Sequence, residues 1–321
     1  MKLAVVGATG VVGETILRVL DERGIDTGSV GRFASRDREG VRATTDEALA
    51  EYDCVFFASS EDASVRYVPA LVARGAFAID NSSSYRMAPG VPLVVPEVNA
   101  DAALPEHRIY PVANCTAIVL CVALAPIRDA AGLKSVRVAT YQAASGAGRA
   151  GLDELLAGER AIAAGEAETH AVFPAVLARN VVPQVGSFDD DGWSGEENKV
   201  AEETRKMLGL PDLFVSATTV RVPVRTAHSE AIFIETDRDT TVEELAAAFE
   251  RAPGVVFHRT GIVTPRDVEG TDLVHVARLR AESLSKRHFA LWAVGDQLRK
   301  GAATNAVQIL QLLTAKGYIA P

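Results

Sequence analysis

One cysteine of this chain stands where sulfur becomes reactive. In Tyr110-Pro-Val-Ala-Asn-Cys-Thr-Ala-Ile118 a short apolar strand breaks at Ala113-Asn114, and a helix-forming run begins at Thr116. A thiol at that junction faces the positive end of a helix dipole and the unpaired N–H groups of the first turn. Those donors favour thiolate over thiol and can later hold an oxyanion. Cys115 is therefore read as a nucleophile. The other two cysteines, Cys54 and Cys121, lie in apolar runs and are read as core packing. A second reactive pattern is Arg221-Val-Pro-Val-Arg-Thr-Ala-His228-Ser-Glu230. There Arg221 lies on a strand, Pro223 marks an edge or bulge, and His228 follows a turn. Histidine titrates near neutrality, so His228 suits proton transfer beside a thiolate. His107, His170, His258, His275 and His288 lack such surroundings and are read as structural.

Groups that bind anions and cations accompany this pair. Asp80-Asn-Ser-Ser-Ser-Tyr-Arg86 lies just beyond a strand's carboxyl end, where doubly wound folds bind ligands, and Arg86 can hold a phosphate bidentately. Tyr141-Gln-Ala-Ala-Ser-Gly-Ala-Gly148 begins on a strand and ends in a glycine-rich turn. Gln142 can orient an acyl group there, while Ser145 to Gly148, Ser145 and Gly146 among them, leave room for a cofactor. In Ser194-Gly-Glu-Glu-Asn-Lys199 the spacing puts Glu196 and Lys199 on one face of a helical turn, suited to an ammonium and an anion respectively.

Gly7-Ala-Thr-Gly10-Val-Val-Gly13 follows the first strand at once and opens the first helix. Gly7 permits the tight turn, Gly10 lets backbone approach a pyrophosphate, and Gly13 allows close helix–strand packing. The segment as a whole, with Thr9, Val11 and Val12, predicts a dinucleotide cradle. No acidic residue is placed clearly for a ribose 2′-OH. Gly31-Arg-Phe-Ala-Ser-Arg-Asp-Arg38 instead offers Ser35, Arg36 and Arg38 to a 2′-phosphate, which favours NADP over NAD.

The elements that must position these residues change character along the chain. Lys2–Val6, Cys54–Ala58, Ala76–Ile79 and Leu93–Val95 read as short apolar strands covered on both faces. Helical stretches at 13–23 and 65–74 alternate with them, the βαβ pattern of a doubly wound parallel sheet. Beyond about residue 130 come longer, alternating strands at 135–143, 213–224, 229–236, 272–280 and 288–294. The clearest helix among them, 242–251, is started by a capping box at Thr241 and Glu244. That predicts an α+β domain on a mostly antiparallel sheet. Segment 188–195 reads as an exposed loop, and a last helix, 302–316, is expected to return to the first domain. The expected domains are 1–115 plus 302–321 for the dinucleotide and 116–301 for catalysis and dimerisation.

Composition narrows the class. The 321 residues carry a net charge of −9, which argues against nucleic acid as the main partner. The longest apolar run, 117–126, is shorter than the roughly 18 residues that span a membrane. Three sparse cysteines form neither a disulfide framework nor a zinc knuckle, and no cluster suggests a metal. The first residues run straight into a strand without a signal-peptide pattern, so a reduced, cytoplasmic enzyme or binding protein is expected.

With these segments in hand, the sequence resembles aspartate-β-semialdehyde dehydrogenase almost end to end. The matching segments are GATGVVG (7–13), DNSSSYR (80–86), VPLVVPEVN (91–99), ANCTAI (113–118) and YQAASGAG (141–148). EENK (196–199), SATTVRVPVRTAHSEA (216–231) and LRKGAATNAVQI (298–309) continue the series. The resemblance implies a Rossmann-type domain completed by the C-terminal helix and a catalytic domain that dimerises through its sheet. It further implies NADPH-dependent, reversible reduction of L-aspartyl-4-phosphate to L-aspartate-4-semialdehyde, in the biosynthesis of Lys, Thr, Met and Ile. By resemblance, Cys115 would be the nucleophile, His228 the acid/base, and Gln142 the residue that orients the acyl intermediate. Arg221 would bind the substrate carboxylate and Glu196 its amino group. Arg86 and Lys199 would bind phosphate, with Asn114 supporting the phosphate or oxyanion site. Ser59, in Ala58-Ser-Ser60, and Gln297 would border the cofactor. The nearest rival is N-acetyl-γ-glutamyl-phosphate reductase. Glu196 argues against it, because an acylated nitrogen carries no charge to neutralise. A non-catalytic dinucleotide-binding paralogue would have little use for Cys115 together with His228.

Overall fold

The structure is a computed structural model and describes residues 1–282 and 285–320. The chain divides into two compact units, Met1–Asn114 with Gly301–Pro321, and Cys115–Lys300.

The first unit opens with β1 (Leu3–Val6), α1 (Val11–Glu22), β2 (Gly31–Ala34), β3 (Arg42–Ala43), α2 (Asp46–Leu49), β4 (Cys54–Phe57) and α3 (Glu61–Val72). It continues through β5 (Phe77–Asp80), α4 (Pro96–Asn99) and β6 (Ile109–Pro111). The strands form one sheet in the order β3-β2-β1-β4-β5-β6, every pair parallel. The chain goes from β1 to one side for β2 and to the other for β4. The loop after β1 therefore sits at the switch point, where such sheets bind ligands. Strands β1, β4 and β5 are buried at every residue, as the apolar runs predicted. Ala4, Val6, Val55 and Phe57 share one face, against Val68 and Leu71 of α3.

Several expectations shift in this unit. Helix α3 starts at Glu61 rather than residue 65, because Ser60 caps it by accepting the Ala63 N–H. Helix α1 starts at Val11 rather than residue 13, because Gly10 is extended and already accepts the Glu14 N–H. Leu93–Val95 is not a strand; the sheet ends at β6. The segment is buried like a strand, but side-chain amides take the place of a neighbouring ladder. Asn99 bonds the Val95 N–H and the Leu93 carbonyl, and Asn305 donates to the Val94 carbonyl. Apolarity reported the burial, while the hydrogen-bond partner decided the structure.

The second unit runs α5 (Cys115–Ala131), β7 (Ser135–Gln142), α6 (Gly148–Ala164), α7 (Gly195–Leu208), β8 (Phe214–Arg221), β9 (His228–Glu235) and α8 (Val242–Arg251). It ends with β10 (Val255–His258), α9 (Pro265–Val268), β11 (Val274–Ala281) and β12 (His288–Gly295). The sheet order is β10-β11-β12-β9-β7-β8, with antiparallel pairing in the middle and a parallel pair at each side. Helix α5 is apolar nearly all round and packs on the sheet; a Cβ at Gly295 would lie 2.6 Å from Val119 Cγ2. Along β7, Val136, Val138, Thr140 and Gln142 are buried beneath helices, while Arg137 and Tyr141 on the other face are exposed. The capping box that starts α8 at Thr241 and Glu244 is formed. The sequence reading passed over α6, whose glycines and polar residues obscure its apolar stripe.

After Lys300 the chain returns to the first unit, where α10 (Thr304–Ala315) packs against α1, α4 and β5.

Candidate active site

Strand ends deliver three side chains to one edge of the second unit's sheet. Gln142 ends β7, Arg221 ends the parallel β8 as its register partner, and His228 begins the antiparallel β9. Directly opposed residues share a face, so Gln142 and Arg221 point the same way. Ala143, one residue past β7, holds the other two. Its N–H donates to His228 Nδ1 at 3.1 Å, and its carbonyl accepts from Arg221 Nη1 at 2.7 Å.

The electrostatics follow from burial. Arg221 is only 6 % exposed, and its guanidinium lies 5.7 Å from the Phe173 ring centroid. Burial holds its pKa below the ordinary value, opposed by the charges of Cys115 and Glu196. Cys115, Arg221 and Glu196 thus occupy one electrostatic neighbourhood. His228 is 1 % exposed, and burial, then the Arg221 charge, push its pKa well below 6.5. The ring is neutral near pH 7. Since Nδ1 accepts a backbone N–H, its proton resides on Nε2. Gly146 is needed beside this pair: a Cβ there would come within 2.7 Å of Arg221 Nη1 and 3.2 Å of His228 Nε2.

Cys115 is the first residue of α5, half-buried and not in a disulfide. Glu196 lies in the first turn of α7, where its Oε1 accepts from Gln142 Nε2 at 2.9 Å and from Thr116 Oγ1 at 3.4 Å. A capping box of Ser194 and Glu197 starts that helix, contributing about 1 kcal/mol. Glu197 Oε1 also accepts the Thr219 N–H at 2.9 Å, tying the turn that carries Glu196 to β8. Lys199, on the same helix, is exposed. Gln297 has both ends of its carboxamide engaged within the protein. Its Oε1 accepts the Ala227 N–H at 2.7 Å, and its Nε2 donates to Ser145 Oγ at 2.6 Å. The clamp holds Ala227 at a φ of 69°, a left-handed conformation at the turn into His228. Cys54 and Cys121 are fully buried, and burial pushes both thiols up.

The first unit holds the glycine loop. Gly7 has a φ of 82°, and a Cβ there would lie 2.3 Å from the Ala58 carbonyl oxygen. At Gly13 a Cβ would lie 2.2 Å from the Gly7 carbonyl oxygen. Gly10 caps α1 with no side-chain hydrogen bond, so the N–H groups of the first turn near Val11 and Val12 are left for an anion. Ser59 Oγ, beside this cradle, is buried and has no hydrogen-bond partner among the described residues. These features fit a bound pyrophosphate. Ser35, Arg36 and Arg38 are exposed in the loop after β2, and the carboxylate between them, Asp37, is turned back onto the Ala43 N–H at 2.9 Å. In the turn after β5, buried Asp80 accepts from Ser64 Oγ, Ser82 Oγ and the Ser82 N–H. Arg86 donates to the carbonyls of Val112 at 2.9 Å and Asn81 at 3.0 Å, which places its guanidinium beside the stretch leading to buried Asn114.

Among the described residues no group of three or more His, Cys, Asp or Glu is arranged to hold a metal ion, and no helix is long and apolar enough to cross a membrane.

Comparison with known proteins agrees with both halves of the chain. "Semialdehyde dehydrogenase, NAD binding domain" matches residues 2–104, and "Semialdehyde dehydrogenase, dimerisation domain" matches residues 124–300. The chain is 39% identical to the aspartate-semialdehyde dehydrogenase of Aquifex aeolicus, covering 99% of each sequence. The chain belongs to the aspartate-semialdehyde dehydrogenase family. The family's Bacillus subtilis member is 38% identical over 98% of this chain and 97% of its own. The crystal structure of aspartate semialdehyde dehydrogenase II from Vibrio cholerae superposes with a TM-score of 0.93 at 36% identity, covering 99% of both chains.

Sequence reasoning missed three residues that shape the surroundings of Gln142, Arg221 and His228. Ala143 acts through its peptide groups, which no side-chain pattern reveals. Phe173 reaches Arg221 from a segment without regular structure. Thr116 follows Cys115, yet only packing shows that its hydroxyl meets Gln142 and Glu196.

Proposed function

We propose that this chain catalyses the reversible, NADPH-dependent conversion of L-aspartyl-4-phosphate to L-aspartate-4-semialdehyde and phosphate. The observation that carries this reading is the gathering of Gln142, Arg221 and His228 at one sheet edge, with Glu196 bonded to Gln142 and to Thr116, the residue after Cys115. A nucleophile, a cation for a carboxylate and an anion for an ammonium are the groups an amino-acid acyl phosphate requires. A Vibrio cholerae relative of known structure is complexed with ASA, which supports the same substrate class here.

In this mechanism Arg221 holds the substrate α-carboxylate and Glu196 its ammonium, which fixes the acyl carbon against Cys115. The Cys115 thiolate attacks that carbon, a C–S bond forms, and the C–O bond to phosphate breaks. Arg86 and Lys199 receive the departing phosphate. His228 can exchange a proton only at Nε2, because Nδ1 is occupied by the Ala143 N–H. It therefore presents a donor to the acyl oxygen as negative charge develops there. Ionisation of the thiol falls to Arg221 and the start of α5 rather than to His228. NADPH, when bound, supplies the hydride that reduces the thioester. Collapse of the resulting thiohemiacetal breaks the C–S bond and returns Cys115 as thiolate.

Arg36 and Arg38, exposed after a β2 end that lacks a committed carboxylate, support NADP over NAD. The dimerisation-domain match supports a homodimer, formed on the sheet face that exposes Tyr141, Phe214 and Phe233 opposite the catalytic residues.

The test is the reverse reaction, run with phosphate and either aspartate semialdehyde or N-acetylglutamate semialdehyde, following nicotinamide absorbance with NADP and with NAD. Turnover of aspartate semialdehyde with NADP is expected. Turnover of the acetylated aldehyde alone would assign the chain to the rival reductase activity.

A further inference from the structure

Thr116 closes a triangle of hydrogen bonds directly behind the nucleophile. Its hydroxyl accepts from Gln142 Nε2 and donates to Glu196 Oε1 at 3.4 Å. Gln142 Nε2 also donates to Glu196 Oε1, at 2.9 Å. The polarity of this arrangement follows from counting protons. A carboxylate only accepts, and a hydroxyl has one proton to give. With that proton directed at Glu196, the Thr116 oxygen requires a donor from Gln142, and Glu196 requires the same. Both neighbours demand the NH2 end of the carboxamide, so Oε1 is turned away from them. Gln142 is 0 % exposed, and its Oε1 has no hydrogen-bond partner among the described residues. A buried acceptor left unpaired costs about 1–3 kcal/mol, so the site favours a ligand that brings a donor.

We propose that Thr116 is a positioning residue that locks the Gln142 carboxamide with its oxygen outward, so that Gln142 Oε1 and the Glu196 carboxylate form a two-acceptor seat for the substrate's primary ammonium. The inference deepens the function proposed above and rests on it. A primary ammonium has three N–H donors and can satisfy both acceptors while neutralising Glu196. An acylated nitrogen has one N–H and no charge, so it must leave one acceptor unpaired. Discrimination against such substrates is therefore built from Thr116 and Gln142 as well as from Glu196.

The experiment is a double-mutant cycle read by reverse-direction kinetics with aspartate semialdehyde, phosphate and NADP. The enzymes are wild type, Thr116→Val, Thr116→Ser, Gln142→Leu and the Thr116→Val/Gln142→Leu pair. Thr116→Val is expected to raise KM for aspartate semialdehyde about tenfold, the scale of one hydrogen bond to a charged group. The kcat and the KM values for phosphate and NADP should stay within about twofold, a split that general damage would not produce. Thr116→Ser should restore the wild-type KM, and in the Gln142→Leu background Thr116→Val should add little. An unchanged KM in Thr116→Val, losses that multiply in the double variant, or Thr116→Ser as impaired as Thr116→Val would overturn the positioning role. If Thr116→Val does not fold, Thr116→Ala takes its place in the cycle. A wild-type enzyme inactive on aspartate semialdehyde would sink the proposed function itself and this seat with it.

Discussion

Exchanging Glu196 for glutamine removes one charge while keeping the side chain's shape and an oxygen for Gln142 to bind. Unit charges about 4 Å apart interact by about 4 kcal/mol at an effective dielectric near 20. Glu196 is only half-buried on the first turn of α7, so solvent screening reduces this to about 2 kcal/mol. That corresponds to a KM for aspartate semialdehyde raised about 30-fold. The hydrogen bond from Gln142 at 2.9 Å keeps residue 196 in place, so kcat should change by no more than a few-fold. The assay is the reverse reaction at saturating phosphate and NADP, varying the aldehyde. KM values for phosphate and NADP should not move. Raising ionic strength should weaken wild-type binding more than binding by the variant, because only the former retains the ion pair. An unchanged KM would remove Glu196 from ammonium recognition and withdraw the main argument against an acylated substrate.

Further outcomes follow from the same geometry. Cys115→Ser should lower turnover by several orders of magnitude while NADPH binding, followed by nicotinamide fluorescence, persists; normal turnover would rule out a sulfur-bound intermediate. Gly146→Ala should leave the melting temperature nearly unchanged but reduce kcat/KM at least tenfold, about 1.4 kcal/mol, because its Cβ would stand 2.7 Å from Arg221 Nη1. A fully active Gly146→Ala enzyme would show that Arg221 need not keep its place. Glu230 is fully buried on β9, both carboxyl oxygens lack partners among the described residues, and burial pushes its pKa well above 4.5. The folded chain keeps a proton that the unfolded chain releases above pH 4.5, so stability from this site is complete below that pH. It is then lost by about 1.4 kcal/mol per pH unit until the folded group itself ionises. Glu230→Gln should therefore gain urea resistance over wild type at pH 8 compared with pH 5, and an equal difference at both pH values would contradict a protonated Glu230.

The amino-acid order by itself determined the features that depend on a few neighbouring residues. The spacing of Gly7, Gly10 and Gly13 expresses a local steric demand. The capping box at Thr241 and Glu244 joins residues three apart, and the apolar runs of β1, β4 and β5 declare burial on both faces. The family was legible for the same reason, as its motifs are short and contiguous. Tertiary structure decided what lies between elements. Leu93–Val95 has a strand's apolarity, yet Asn99 and Asn305 supply its hydrogen bonds, the second from 211 positions away. Gln142 was readable as a polar residue at a strand end, but not the orientation of its amide. That depends on Thr116 and Glu196, which lie 26 and 54 residues away in sequence on two different helices. Side-chain types record which chemistry a chain can perform. The direction in which each hydrogen bond points is set only when sheet register and helix packing bring distant donors and acceptors together.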